Sequence, residues 1–78
     1  VSAREMFEKL GYRDRKDIKN YIGLIKSYYK NYDEIINFYE NKEVMKTGEY
    51  DGSYSNITLD ELQAINKQIS ELGWNNEK

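Results

Sequence analysis

Apolar side chains recur along this chain in more than one rhythm. Leu62, Ile65, Ile69 and Leu72 fall on one stripe with the 3.6-residue period, and Asp60, Gln63, Lys67 and Gln68 face away from it, which predicts an amphipathic helix. Ala3, Met6, Phe7 and Leu10 form a similar stripe at the start. That helix is barely two turns long and must lean on something to persist. Between the two, Ile18, Ile22, Ile25, Tyr29, Tyr32, Ile36 and Tyr39 recur at alternating spacings of four and three, the pattern of a helical hairpin. The same segment is rich in Tyr, Ile and Asn and contains Gly23. These residues favour strands or turns, and the helical reading leaves Leu24 and Phe38 on the polar side.

The strand reading is therefore preferred for the middle, with a helix over residues 17–39 as its alternative. It places a first strand near Tyr21 to Tyr29, a turn at Lys30 to Asp33, and a second strand at Glu34 to Tyr39. A loop at Glu40 to Lys42 then leads into a third strand from Glu43 to about Tyr50, and Asp51-Gly52 is a turn signal before the second helix. Alternation sorts these strands by face. Ile22, Leu24, Ile36, Phe38 and Val44 form one set, the natural partner of the helices; Tyr21, Ile25, Tyr29, Ile35, Tyr39 and Met45 form the other. Two short helices can hardly cover both faces, so one apolar face is expected to stay open as a contact surface.

Both helices carry the same punctuation. Ser2 with Glu5, and Thr58 with Glu61, have capping-box spacing, with Val1 and Met6, then Ile57 and Leu62, where hydrophobic staples would sit. The closing stretches FEKLGY and ISELGW each place a Gly, Gly11 or Gly73, where a left-handed residue ends a helix. A Schellman ending then pairs Tyr12 with Phe7 and Trp74 with Ile69. The expected fold is a single α+β domain spanning residues 1–78: helix, three-stranded antiparallel β-meander, helix (α-β-β-β-α), with both helices on one sheet face.

These stretches also carry a resemblance. SAREMFEKLGY, EIINFYENKEV and above all ITLDELQAINKQISELGW are similar to a group of small proteins of phages, prophages and mobile elements in low-GC Gram-positive bacteria. The similarity covers nearly the whole chain and is strongest in its last third. It implies the α-β-β-β-α order and a bacterial host cell, and it brings no catalytic residues.

Composition narrows the chemistry. A chain of 78 residues holds one small core, which buries about 60% of the unfolded surface and leaves no room for a deep cleft between lobes. With no Cys and no His it lacks thiolate chemistry, the commonest general base and the commonest transition-metal ligand, so a non-enzymatic protein without a cofactor or metal is expected. No run of 18 apolar residues and no secretory start is seen, which reads as a cytoplasmic protein without a membrane partner. The formal net charge is −2, with ten basic and eight acidic residues over 1–48 but two and six over 49–78. Such a balance disfavours bulk attraction to nucleic acid.

Two surfaces remain as candidates. The set Tyr21, Ile25, Tyr29, Ile35, Tyr39 and Met45 suits a protein partner, a second copy of the chain included, because Tyr offers large contact area at low entropic cost. The run Arg13 to Lys19 carries Arg13, Arg15, Lys16 and Lys19, a basic loop that could contact phosphates. With stacked Tyr, that loop supports the alternative of a single-stranded nucleic-acid binder. Asp14 and Asp17 interleave with the cations, however, and predict local ion pairs on a solvated loop. The pairs Asp33 with Glu34 and Asp60 with Glu61, and the separate Glu49 and Asp51, show no metal-site spacing.

Overall fold

The structure is a computed structural model and describes residues 1–19, 21–31, 33–48 and 56–75. Among these residues six elements follow in order: α1 (Ala3–Lys9), β1 (Arg13–Asp14), β2 (Leu24–Lys30), β3 (Glu34–Tyr39), β4 (Val44–Thr47) and α2 (Leu59–Glu71). The strands form one antiparallel sheet in the order β1-β2-β3-β4. The middle of the chain is thus strands and turns rather than a helical hairpin.

The helix boundaries are set by local chemistry. Ser2 Oγ accepts from the Glu5 amide at 3.1 Å while Glu5 Oε1 accepts from the Ser2 amide at 2.8 Å, and Thr58 with Glu61 repeats the exchange at 3.1 Å each way. The outer staple residues stay largely in solvent, Val1 most of all. At the far ends Gly11 (φ 94°) and Gly73 (φ 79°) adopt the left-handed conformation. The Tyr12 amide then donates to Phe7 O at 3.0 Å and the Trp74 amide to Ile69 O at 3.1 Å, as a Schellman ending requires. Because Tyr12 lies against Phe7 edge-on at 5.7 Å, the first of these turns delivers an aromatic ring into the core.

Both helices pack on the same sheet face. Phe7 from α1 and Ala64 and Ile65 from α2 close on Tyr28, Ile36 and Phe38, with Tyr12 completing the buried cluster and Val44, Ile69, Leu72 and Trp74 around it. Phe7 stacks on Tyr28 at 4.0 Å, and Phe38 meets both rings edge-on at 6.3 Å. The Ala3 amide donates to Glu71 Oε2 at 2.8 Å, joining the start of α1 to the end of α2.

Several expectations need correction. The sheet has four strands, because Arg13 and Asp14 continue from the first helix turn and pair with Tyr29 and Tyr28. A two-residue strand has no alternation long enough to read. β2 starts three residues later than expected, and a β-bulge between Leu24 and Lys26 breaks its phase, so Leu24 pairs with Tyr39 away from the core and Ile22 is fully exposed in the preceding turn. Lys30 belongs to β2 rather than to the expected turn. The strand expected from Glu43 is β4 and runs Val44–Thr47; its expected end at Tyr50 and the Asp51-Gly52 turn lie outside the described residues, as does Tyr32. On α2, Leu62 is 44% exposed while Gln68 is buried, so the inward stripe is rotated toward Glu61, Ala64, Ile65 and Gln68. The reason is polar: Tyr28 Oη donates to Gln68 Oε1 at 2.6 Å, and Glu61 is held from three sides.

Candidate protein interface

The sheet face turned away from the helices is built from register pairs. Arg13, Tyr29, Ile35 and Thr47 lie in one row across the four strands, and Ser27, Asn37 and Met45 in the next. Leu24 and Tyr39 close the face at the end where the bulge displaces Ile25. Of the residues expected there, Tyr29, Ile35, Tyr39 and Met45 share this face with Ile25 beside them, whereas Tyr21 sits in the turn before β2, its ring under the Arg15 guanidinium at 5.5 Å.

Exposure across the face is uneven. Ile35 is only 8% exposed and Ser27 is fully buried, while Ile25 and Met45 stand 37% and 36% exposed. A polar thread runs through the middle: Ser27 Oγ donates to Asn37 Oδ1 at 2.5 Å, and Asn37 Nδ2 donates to Tyr39 Oη at 3.2 Å. Buried polar atoms cost free energy unless they are paired, and among the described residues no buried side-chain nitrogen or oxygen lacks a partner. The face is therefore a finished surface with apolar groups at its rim. Of the tyrosines, Tyr12 and Tyr28 serve the core, Tyr29 and Tyr39 are half-buried on the open face, and Tyr21 is exposed.

On the covered face lies a charged cluster that sequence reasoning missed. Lys46 Nζ meets Glu61 Oε1 at 2.8 Å, Glu34 Oε1 at 3.1 Å and the Asn56 carbonyl at 2.8 Å, and Tyr12 Oη donates to Glu61 Oε2 at 2.8 Å. Burial works against the Lys46 charge, but the two carboxylates outweigh it and hold the ammonium above its ordinary value of 10.5. Burial likewise opposes ionisation of Glu61, yet hydrogen bonds from Lys46, the Thr58 amide and Tyr12 hold it below 4.5. Burial, then the bond to Glu61, pushes Tyr12 upward. A lysine held protonated and a glutamate held ionised supply neither nucleophile nor proton shuttle, so the cluster acts as a clamp between β4, β3 and the start of α2. The signal for it was the alternation itself, since Lys46 is in phase with Val44 and Glu34 with Ile36.

The basic loop is dispersed by the fold. Arg13 sits in β1 and shares the open face with Tyr29. Arg15 donates from its amide to Ser27 O at 2.8 Å and pairs with Asp17 at 3.3 Å. Lys16 and Lys19 are exposed, and Asp14 is bound to Lys26 at 2.8 Å. Among the described residues no three acidic side chains gather to hold a metal ion, and no helix is long and apolar enough to cross a membrane. Glu49 and Asp51 lie outside the described residues. No family model, no curated protein and no solved structure matches this chain.

Proposed function

We infer that this is a non-enzymatic interaction protein of a phage or mobile element, which binds a host or phage protein through the sheet face its helices leave uncovered. A second copy of the chain is one such partner, and modulation of a host pathway or defence system is the role that suits it. The observation that carries the reading is the one-sided packing. Phe7, Ala64 and Ile65 seal one face, while the other keeps Ile25, Tyr29, Tyr39 and Met45 at or near solvent. The phage assignment rests on the sequence resemblance alone.

A photo-crosslinking residue placed at Met45, and separately at Lys67 on the outer side of α2, tests this in lysate of a low-GC Gram-positive host. The reading expects a discrete adduct from Met45 and none from Lys67. Equal labelling from both sites, or none from Met45, contradicts it. The position of Arg13 beside Tyr29 favours single-stranded nucleic acid as the second reading. That reading expects an affinity that falls steeply with salt as counterions are released.

A further inference from the structure

Among the described residues the exposed large apolar side chains fall in two regions. Val1, Ile57, Leu59 and Leu62 lie at the starts of the two helices, and Tyr21, Ile22, Ile25 and Met45 at one end of the sheet, where the turn before β2 faces the β3–β4 loop. Ile22, Gly23, Tyr39, Glu40, Asn41, Glu43 and Met45 line a cleft of about 280 Å³ there. We propose that this cleft is the anchor site of the open face, and that it takes an apolar side chain of a partner segment flanked by Lys or Arg.

Its walls are fixed before any partner arrives. Gly23, at φ 79°, turns the chain so that its carbonyl accepts from the Glu40 amide at 2.7 Å, which pins one wall to the other. The Leu24 amide donates to Tyr21 O at 3.2 Å, the Tyr39 amide to Glu43 O at 2.9 Å, and the Glu43 amide to Asn41 Oδ1 at 3.1 Å. Preorganised walls reduce the entropy lost on binding. Tyr39 and Met45 lie on the open sheet face, and Ile22 stands fully in solvent at the lip. Small-molecule sites typically enclose about 300–1,000 Å³, so this volume suits the side chains of a docked segment rather than a cofactor.

Charge selects the occupant. Glu40 and Glu43 both line the cleft and both are exposed. Among the described residues neither forms a salt bridge, in contrast to Asp14, Asp17, Glu34 and Glu61. Lys42 belongs to the same loop but does not line the cleft. Two open carboxylates around an apolar floor complement a segment with an apolar anchor between cations. A second apolar patch among the described residues, around Val1, Met6 and Leu10, is lined by both Lys9 and Asp60 and has no such bias.

The proposal rests on the open-face reading, and its test separates the two. Amide shifts of the labelled protein are followed on titration with a synthetic amphipathic peptide of Leu and Lys, its Leu/Glu counterpart and its Ser/Lys counterpart. The Leu/Lys peptide should give saturable shifts confined to Tyr21–Ile25 and Tyr39–Met45, with both counterparts at least about tenfold weaker, a difference of about 1.4 kcal/mol. Ile22→Ser and Glu43→Lys change exposed side chains, so the fold is retained, and each should weaken the Leu/Lys peptide about tenfold, as loss of an anchor or its charge partner does. Shifts along Tyr29, Ile35 and Thr47 without the cleft would overturn the anchor site and leave the open face standing. Shifts centred on Val1 and Leu59, equal binding by the Leu/Glu peptide, or no saturable shift while Met45 still crosslinks would also overturn it. Loss of the Met45 adduct as well would remove both readings.

Discussion

Lys46 shows how much one side chain can decide. It projects from an edge strand toward the helices, where an unpaired ammonium would be costly, and meets two carboxylates and a carbonyl. Lys46→Met should therefore cost about 3 kcal/mol in urea unfolding, because it leaves the Glu61 charge buried without its main partner. A loss below about 1 kcal/mol would show that water reaches the cluster. The pH dependence follows from the shifts. Glu61, depressed in the folded protein, contributes stability that is present above 4.5 and lost as pH falls through its lowered folded value. Lys46 and Tyr12, both raised, contribute stability that is present below their ordinary values and lost as pH rises. Thermal melts of Glu61→Gln should accordingly show a flatter acid limb than the parent protein; an unchanged slope would assign acid sensitivity to other carboxylates. Alternation places Lys46 and Glu34 on the covered face, but their meeting with Glu61 was not legible, because Lys46 and Glu61 are fifteen residues apart and nothing local announces their contact.

At the scale of elements, what was legible is what is local. The capping boxes and Schellman turns depend on residues within one helical turn of each other, and all four ends occur where the sequence predicts them. β3 also runs from Glu34 to Tyr39 as expected. β2 was misread in phase because a bulge cannot be seen in an alternation pattern, and this moved Leu24 and Ile22 out of the expected core. On α2 the stripe was rotated because Gln68 and Glu61 are buried through hydrogen bonds that hydrophobic periodicity does not count. The two helix-ending glycines allow a clean comparison. A Cβ on Gly73 would meet nothing within 4 Å, and one on Gly11 would meet only the flexible Lys30 chain at 3.4 Å. Gly11→Ala and Gly73→Ala should thus cost similar amounts, about 1–2 kcal/mol each, from backbone conformation alone. A much larger loss at Gly11 would mean that Lys30 cannot move aside.

For the whole molecule, asymmetry is the governing feature. Four strands offer two faces, and two short helices cover one of them, where a stacked aromatic core is buried. Phe7→Ala, which empties the centre of the aromatic cluster, should cost about 3–5 kcal/mol and suffice to unfold so small a domain. Ile25→Lys with Met45→Lys, by contrast, should leave the thermal transition cooperative, since both side chains already reach water. The buried Ile35 is a different case from its neighbours and belongs to the structural part of the face. Candidate site residues were readable as a set because alternation sorts faces. How deeply each one lies was not, since depth depends on the bulge and on the Ser27, Asn37 and Tyr39 thread.

The proposed interface requires that one sheet face stays open in the free protein. A soluble paramagnetic agent measures this directly through the relaxation of methyl groups, with light scattering on the same sample to fix the mass. An open face should give fast relaxation for Ile25 and Met45 and strong shielding for Ile36, Ala64 and Ile65 in a particle of 9.3 kDa. Shielding of Ile25 and Met45 at twice that mass would identify a second copy as the occupant of the face. Equal shielding of both sets in the monomer would mean that the face is closed and no interface is exposed there.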